Sequence, residues 1–253
     1  MSWKWMAAKA TGTSHTLLGK GCDDAFAIFT TGEFLVGIVC DGAGSAPHGA
    51  IGARRATRAL TSMLHKWLSA NQTLPTADQL TRFAHSIHNE LGELAMCRQT
   101  SIRDFATTLI VTICDTERCM VLHIGDGAAV TRERETGKWT CISWPLQCEY
   151  AGQTAFLTDT PLDQIKVTEI DMDVDAVVIF SDGMERLLLD FAGQTANQTT
   201  FESLIRPLDA SETDGFHPSL ADSLKGLLES PNVNRRTDDD KTLVIAARIA
   251  AHG

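Results

Sequence analysis

Apolar positions along the chain fall into two patterns. Short unbroken runs bounded by turns read as strands buried on both faces, and three- and four-residue spacings read as helices. The run Leu35-Val36-Gly37-Ile38-Val39-Cys40 stops at Asp41-Gly42. Leu122-His123-Ile124-Gly125 stops at Asp126-Gly127, and Val177-Val178-Ile179-Phe180-Ser181 stops at Asp182-Gly183. Later the order reverses, with Asp238-Asp239-Asp240 ahead of Leu243-Val244-Ile245-Ala246. A strand that begins at its carboxylates and strands that end at theirs share one rim only if they run antiparallel. The pattern therefore predicts an antiparallel sheet with several carboxylates at one edge, the oxygen-rich collection that hard cations need.

The remaining elements follow from the same periods. Residues 3 to 10 read as a strand with Trp3 and Trp5 on one face, and Asp24 to Phe29 pairs with Phe34 to Val39 through Thr31-Gly32. Two amphipathic helices are expected, Gly49 to Leu68 and Thr76 to Met96, separated by the break from Asn71 to Pro75. Arg54, Arg55, Arg58 and Lys66 colour the polar face of the first. Strands are expected at 105–114, 119–124, 128–132, 138–143, 155–158, 165–170 and 175–181. A short helix at 183–190 precedes a polar stretch, 191–216, read as a variable loop region with room for one short helix and as a candidate for substrate contact. A last helix starts at Pro218 with Leu220, Leu224, Leu227 and Leu228 inward, and a charged loop from Ser230 to Asp239 leads into a closing strand, Lys241 to Ile249. Two antiparallel sheets with helices outside them would bury all of this.

Composition narrows the class. The 253 residues, 43% apolar and 21% charged, supply a core without staples and are read as one domain spanning 1–253. A net charge of −10 argues against nucleic-acid or anionic-membrane partners. Seven cysteines, an odd number with no C-x-x-C pair, point to a reducing, cytoplasmic setting. The segment Met1-Ser2-Trp3-Lys4-Trp5-Met6 lacks the pattern of a signal peptide. No apolar run reaches the ~18 residues of a membrane span.

Rival chemistries fail on spacing. Asp171-Met172-Asp173-Val174-Asp175 opens like an EF-hand, but Ala176 stands where the loop glycine is needed. H-E-x-x-H, Cys/His zinc spacing, G-x-S-x-G and a P-loop are all absent. His123, inside an apolar run, reads as a satisfied core residue rather than a ligand. An Asp-Gly pair alone signals only a turn. Four carboxylate clusters against four strands, with Asp23-Asp24 as a fifth, exceed what turn chemistry requires.

These motifs, in this order, resemble the metal-dependent Ser/Thr phosphatases of the protein phosphatase 2C type. Cys22-Asp23-Asp24-Ala25 is similar to the family's N-E-D-A, and Val39-Cys40-Asp41-Gly42-Ala43-Gly44 followed by Gly49 to its V-x-D-G-x-G…G. Ala106-Thr107-Thr108-Leu109 resembles G-T-T-L, Gly125-Asp126-Gly127 resembles G-D-S, and Phe156-Leu157-Thr158-Asp159 lies where the family often has a similar strand and turn. Phe180-Ser181-Asp182-Gly183-Met184 resembles x-S-D-G-L, and Asp239-Asp240-Lys241-Thr242-Leu243 resembles D-[DN]-x-T-x. Gly12-x-Ser14-His15 ahead of a Cys-x-Asp segment resembles a mainly bacterial branch.

The resemblance implies an α+β fold, a four-layer α/β/β/α sandwich of two antiparallel sheets flanked by helices. It implies a monomeric Mn²⁺- or Mg²⁺-dependent phosphatase acting on phosphorylated protein through metal-activated water. Asp41 would bridge two ions, the carbonyl of Gly42 would serve the second, and Asp182 and Asp239 would complete the first. Asp23 and Asp24 would hold coordinated waters, and Asp126 with Asp182 would bind a weaker third ion. Three positions depart from the family: Gly19 stands where a phosphate-binding Arg is usual, Ala43 where some members carry His, and Gly127 where Ser is usual. His15 and Lys20 are the cations left to meet phosphate. Two other functions stay open on the residues alone: a catalytically silent domain that binds a partner or senses metal, and a hydrolase of small phosphoesters.

Overall fold

The computed structural model describes residues 2–145 and 154–249. Cys148 lies outside them. The elements run β1 (Trp3–Ala10), α1 (Thr13–Leu17), β2 (Ala25–Thr31), β3 (Phe34–Cys40), α2 (Gly49–Asn71), α3 (Ala77–Cys97), β4 (Leu109–Cys114), β5 (Arg118–Ile124), β6 (Ala128–Glu133) and β7 (Trp139–Ser143). They continue through β8 (Lys166–Asp171), β9 (Val174–Phe180), α4 (Glu185–Leu188), β10 (Leu189–Asp190), β11 (Thr195–Ala196), α5 (Gln198–Asp209), β12 (Gly215–Phe216), α6 (Pro218–Leu228), α7 (Pro231–Asn234) and β13 (Lys241–Arg248).

Two large sheets stack face to face. One has the order β2-β3-β4-β5-β8, the other β12-β1-β13-β9-β6-β7. All neighbours are antiparallel except the two-residue β12, which lies parallel to β1. Every residue of β3 is buried because each of its faces is covered. Val36, Ile38 and Cys40 meet Leu60, Leu64, Ile87 and Leu91 of α2 and α3, in one core layer. Leu35 and Val39 meet Ala7, Ile179 and Val244 of the other sheet in a second. Met6, Val178 and Ile245 face Phe201, Ile205 and Leu224 of α5 and α6 in a third. Helices, sheet, sheet and helices make the four layers expected.

The differences have local causes. Residues 155–158 form a turn rather than a strand, and the stretch read as a strand from Phe105 opens with a 3₁₀ turn, Ile102–Phe105. The polar stretch 191–216 holds the one short helix it had room for, α5, whose Phe201, Ile205 and Leu208 are buried. The Asn197 side chain caps it by accepting from the Thr200 amide. Leu227 is exposed, because α6 turns Ala221, Leu224 and Leu228 inward instead. The charged loop after Ser230 holds the short α7, and α1 was not anticipated. Among the described residues, no helix is long and apolar enough to cross a membrane.

Close backbone contact seats α2. A Cβ on Gly52 would stand 2.0 Å from the Phe105 carbonyl oxygen, whereas one on Gly226 in α6 would meet nothing within 4 Å. Gly52→Ala is therefore expected to destabilise the fold by about 1–3 kcal/mol through overpacking. Gly226→Ala should stabilise it by up to about 1 kcal/mol. Urea denaturation of both variants checks the opposite signs.

Candidate metal centre

Chain direction delivers the carboxylates to one place. β3 and β5 are each antiparallel to β4 and so run the same way, and Asp41 and Asp126 follow their ends. Phe180 at the end of β9 pairs with Leu243 near the start of β13, so Asp182 and Asp238–Asp240 reach the same rim. One oxygen each of Asp41, Asp126 and Asp182 lies within 4.8 Å of the other two.

The motif residues around this trio hold it in position. Thr108 Oγ1 accepts from the Asp41 amide at 3.0 Å, while Thr108 N and Thr107 Oγ1 each donate to the Asp41 carbonyl at 2.8 Å. Both threonines of Ala106-Thr107-Thr108-Leu109 thus clamp the peptide that carries Asp41. Gly42 and Gly49 are backbone contacts: a Cβ on either would stand under 3 Å from the other's chain segment. Thr154 Oγ1 donates to Asp126 Oδ2 at 2.7 Å, and the buried His123 contacts the Asp126 carbonyl through Nε2 and Ser143 Oγ through Nδ1. Both nitrogens of His123 are used, and burial pushes its pKa down to about 4, so it is a neutral core residue. Gly127 has φ +85° and would place a Cβ 2.5 Å from the Phe180 carbonyl, which suits glycine where the family usually has serine.

Two further carboxylates are buried as fasteners. Asp24 Oδ2 accepts from Ser181 Oγ at 2.8 Å and from Thr242 Oγ1 at 2.6 Å, so it ties β2 of one sheet to β9 and β13 of the other. Asp240 accepts from the amides of Gly12 and Asp23, both at 2.6 Å, and from His15 Nδ1 at 3.0 Å. Ser14 donates its amide and hydroxyl to the Asp238 carbonyl. The Gly12-x-Ser14-His15 segment is thereby pinned along 238–240.

The other sequence-identified positions spread around the trio. Asp239 is exposed and accepts its neighbour Asp240's amide at 2.8 Å; it lies outside the tight trio but close enough to repel Asp126 and Asp182. Asp23 is half-buried, with burial raising its pKa and His15 opposing the rise. Lys20 Nζ donates to the Gly44 carbonyl at 3.3 Å, and His15 Nε2 lies 3.0 Å from where a Cβ on Gly44 would stand. Both candidate phosphate cations therefore converge on the loop after Asp41. The Asp171–Asp175 run is an ion-paired turn, with Asp173 bound to Arg134 and Asp175 to Arg132. Sequence reasoning missed Glu185, whose Oε1 accepts the Gly127 amide at 2.6 Å. Its position three residues after Asp182, on the turn that follows that strand, was the available signal.

Electrostatics show what the trio lacks. Burial, then repulsion from Asp24, Asp182 and Asp126, raises the Asp41 pKa well above the carboxylate range. Burial and repulsion from Asp126 and Asp239 push Asp182 to about 8. Burial lifts Asp24 to about 6 and Glu185 to about 7. Among the described residues, no Lys, Arg or His is ion-paired with Asp41, Asp126 or Asp182. Asp24 Oδ1 and Asp182 Oδ1 are buried without any hydrogen-bond partner. An oxygen-only donor set with orphaned lone pairs fits Mn²⁺ or Mg²⁺ rather than zinc or copper.

Clustered carboxylates without a counter-charge, at the shared rim of two stacked sheets, are the design of a divalent-cation protein. Over residues 11–229 the chain matches protein phosphatase 2C, and it belongs to that family. It is 29% identical over 252 residues to serine/threonine-protein phosphatase 3 of Escherichia coli strain K12, covering 97% of this chain and 98% of that protein. Serine/threonine phosphatase Stp1 from Staphylococcus aureus shares the fold at TM-score 0.64 and 16% identity, over 99% of this chain and 96% of Stp1. The catalytic domain of serine threonine protein phosphatase PstP, solved with two manganese ions, superposes at TM-score 0.62 and 16% identity, over 98% of this chain and 99% of that one.

The crowding sets a pH dependence. Carboxylates titrate near 3.9 in the unfolded chain, whereas Asp24 and Asp182 are lifted to about 6 and about 8 when folded. The folded state then holds more protons than the unfolded one across that window, so stability falls as pH rises through it. A bound cation offsets the repulsion. In EDTA, the melting temperature is expected to fall between about pH 5.5 and pH 8, and the rise produced by Mn²⁺ should be larger at the higher pH. Equal rises at both would contradict the trio as the binding site.

Proposed function

We propose that this chain is a Mn²⁺- or Mg²⁺-dependent phosphatase of phosphoserine and phosphothreonine in proteins, working in the cytoplasm as a monomer. Residues 1–253 would act as one catalytic unit. The observation that carries the reading is the Asp41, Asp126 and Asp182 trio, with one oxygen of each within 4.8 Å of the others and an orphaned oxygen on Asp182. In this reading Asp41, Asp182, Asp239 and the Gly42 carbonyl would hold two ions, and Asp126 with Asp182 would serve a third. When bound, the ions supply an acidified water and positive charge for the phosphoryl oxygens. Asp23 and Asp24 orient water from the side of β2. Lys20 and His15 sit over the loop after Asp41, where they meet the phosphate; Lys20 does so as a point charge, without arginine's planar fork. Asp240 keeps the His15 ring in one orientation through Nδ1, leaving Nε2 to face that loop. Glu185 fixes the Gly127 amide and with it the turn that presents Asp126.

The absence of an arginine at Gly19 favours a second reading, a domain of this fold that binds ions and a partner without turnover. Hydrolysis of p-nitrophenyl phosphate with Mn²⁺ and with EDTA separates the two. Phosphate release is expected with Mn²⁺ alone, and Asp182→Asn should lower it at least about a hundredfold, several kcal/mol of lost charge stabilisation. Wild-type rates in that variant would refute the assignment. Metal binding without phosphate release would favour the silent domain.

A further inference from the structure

The long helix α2 contains no Asp or Glu in its 23 residues, in a chain whose net charge is −10. Its exposed face carries Arg54, Arg58, His65 and Lys66, spaced to share one side of the helix. Among the described residues none of the four is ion-paired. Together with the hydroxyl residues Thr61 and Ser62 they line a groove of about 560 Å³ whose other wall is the Ala25–Ala27 segment of β2. Among the described residues, β2 is the edge of its sheet and pairs with β3 alone. Its sequence, Ala25-Phe26-Ala27-Ile28-Phe29-Thr30-Thr31, has no Lys or Pro to guard that edge. Ala27 and Phe29 pack toward the helices and Phe26 and Ile28 toward the other sheet, which leaves the outer backbone edge available.

We propose that this groove docks an acidic, extended polypeptide segment, added as a strand along β2 with its carboxylates facing α2. Charge complementarity selects the occupant: an unpaired cationic wall repels basic segments and attracts acidic ones, and a bare strand edge recognises extended backbone. The groove adjoins the metal rim, because Ala25 in its wall directly follows Asp23-Asp24 in the chain. From Arg54 to Lys66 the helix rises roughly 18 Å at ~1.5 Å per residue, a span for about five or six extended residues. Resting on the phosphatase reading above, the inference names the substrate class: phosphosites flanked by Asp and Glu.

The test compares two phosphothreonine peptides on the full chain with Mn²⁺, one flanked by alternating Glu and the other by Gln. The Glu peptide is expected to be the better substrate by about tenfold in kcat/KM, expressed in KM and shrinking as salt is raised. Reversing two exposed charges, Arg58→Glu with Lys66→Glu, should abolish the preference and leave p-nitrophenyl phosphate turnover and the melting temperature unchanged. Equal rates on both peptides, or a preference that survives charge reversal, would overturn the proposal. If no substrate releases phosphate, the phosphatase reading fails on its own. Docking is then read by fluorescence anisotropy of a labelled, phosphate-free Glu-rich peptide. Binding that the double variant loses supports the groove. No binding, or tighter binding of a charge-matched oligonucleotide or phosphatidylserine vesicle, sinks it.

Discussion

Mutual repulsion among crowded, half-buried acids is the constraint around which the molecule is arranged. Oxygens of Asp41, Asp126 and Asp182 lie within 4.8 Å of one another, and among the described residues no Lys, Arg or His is ion-paired with them. Such an arrangement survives only on rigid supports. Here the supports are strands covered on both faces, two threonines clamping the Asp41 peptide, and Thr154 on Asp126. The free energy stored in the repulsion is what a divalent ion relieves, so affinity for the ion and strain in the metal-free protein have one source.

Not every acid at this rim plays the same part. Asp24 and Asp240 are more deeply buried than the trio; Asp240 commits both oxygens to protein donors, and Asp24 commits Oδ2. Asp24 fastens sheet to sheet through Ser181 and Thr242; Asp240 fastens the 12–23 segment to the start of β13. Removing either would leave donors unpaired in the interior, a cost of about 1–3 kcal/mol for each. The motifs of the family thus read as a mechanical list: Thr-Thr for the Asp41 peptide, Ser and Thr for Asp24, paired glycines where α2 meets the loop.

Acidic charge elsewhere in the chain makes the exception on α2 informative. A helix without a single carboxylate, beside a bare strand edge, concentrates positive potential in one groove next to a strongly negative centre. The two fields differ in sign; in the proposed reading the cationic groove would hold the polypeptide while divalent ions at the acidic centre would receive its phosphate.

The layers and the kind of chemistry were legible in the order of residues alone. Continuous apolar runs such as 35–40 must be covered on both faces, and runs that end in Asp-Gly must carry their acids to a sheet edge. Those are local patterns, and strands and helices obey them with boundaries shifted by a few residues. Polar outer faces blurred the bounds of α5, and a leucine at the margin of the α6 stripe was assigned to the wrong side. Only the tertiary structure decided which oxygens meet. Asp126 closes the trio, while Asp239 bends back to its neighbour's amide, and Asp240 and Glu185 anchor backbone. Those choices depend on where strands distant in sequence stop relative to one another, and differences of a few ångströms between strand ends leave no periodic trace in the chain.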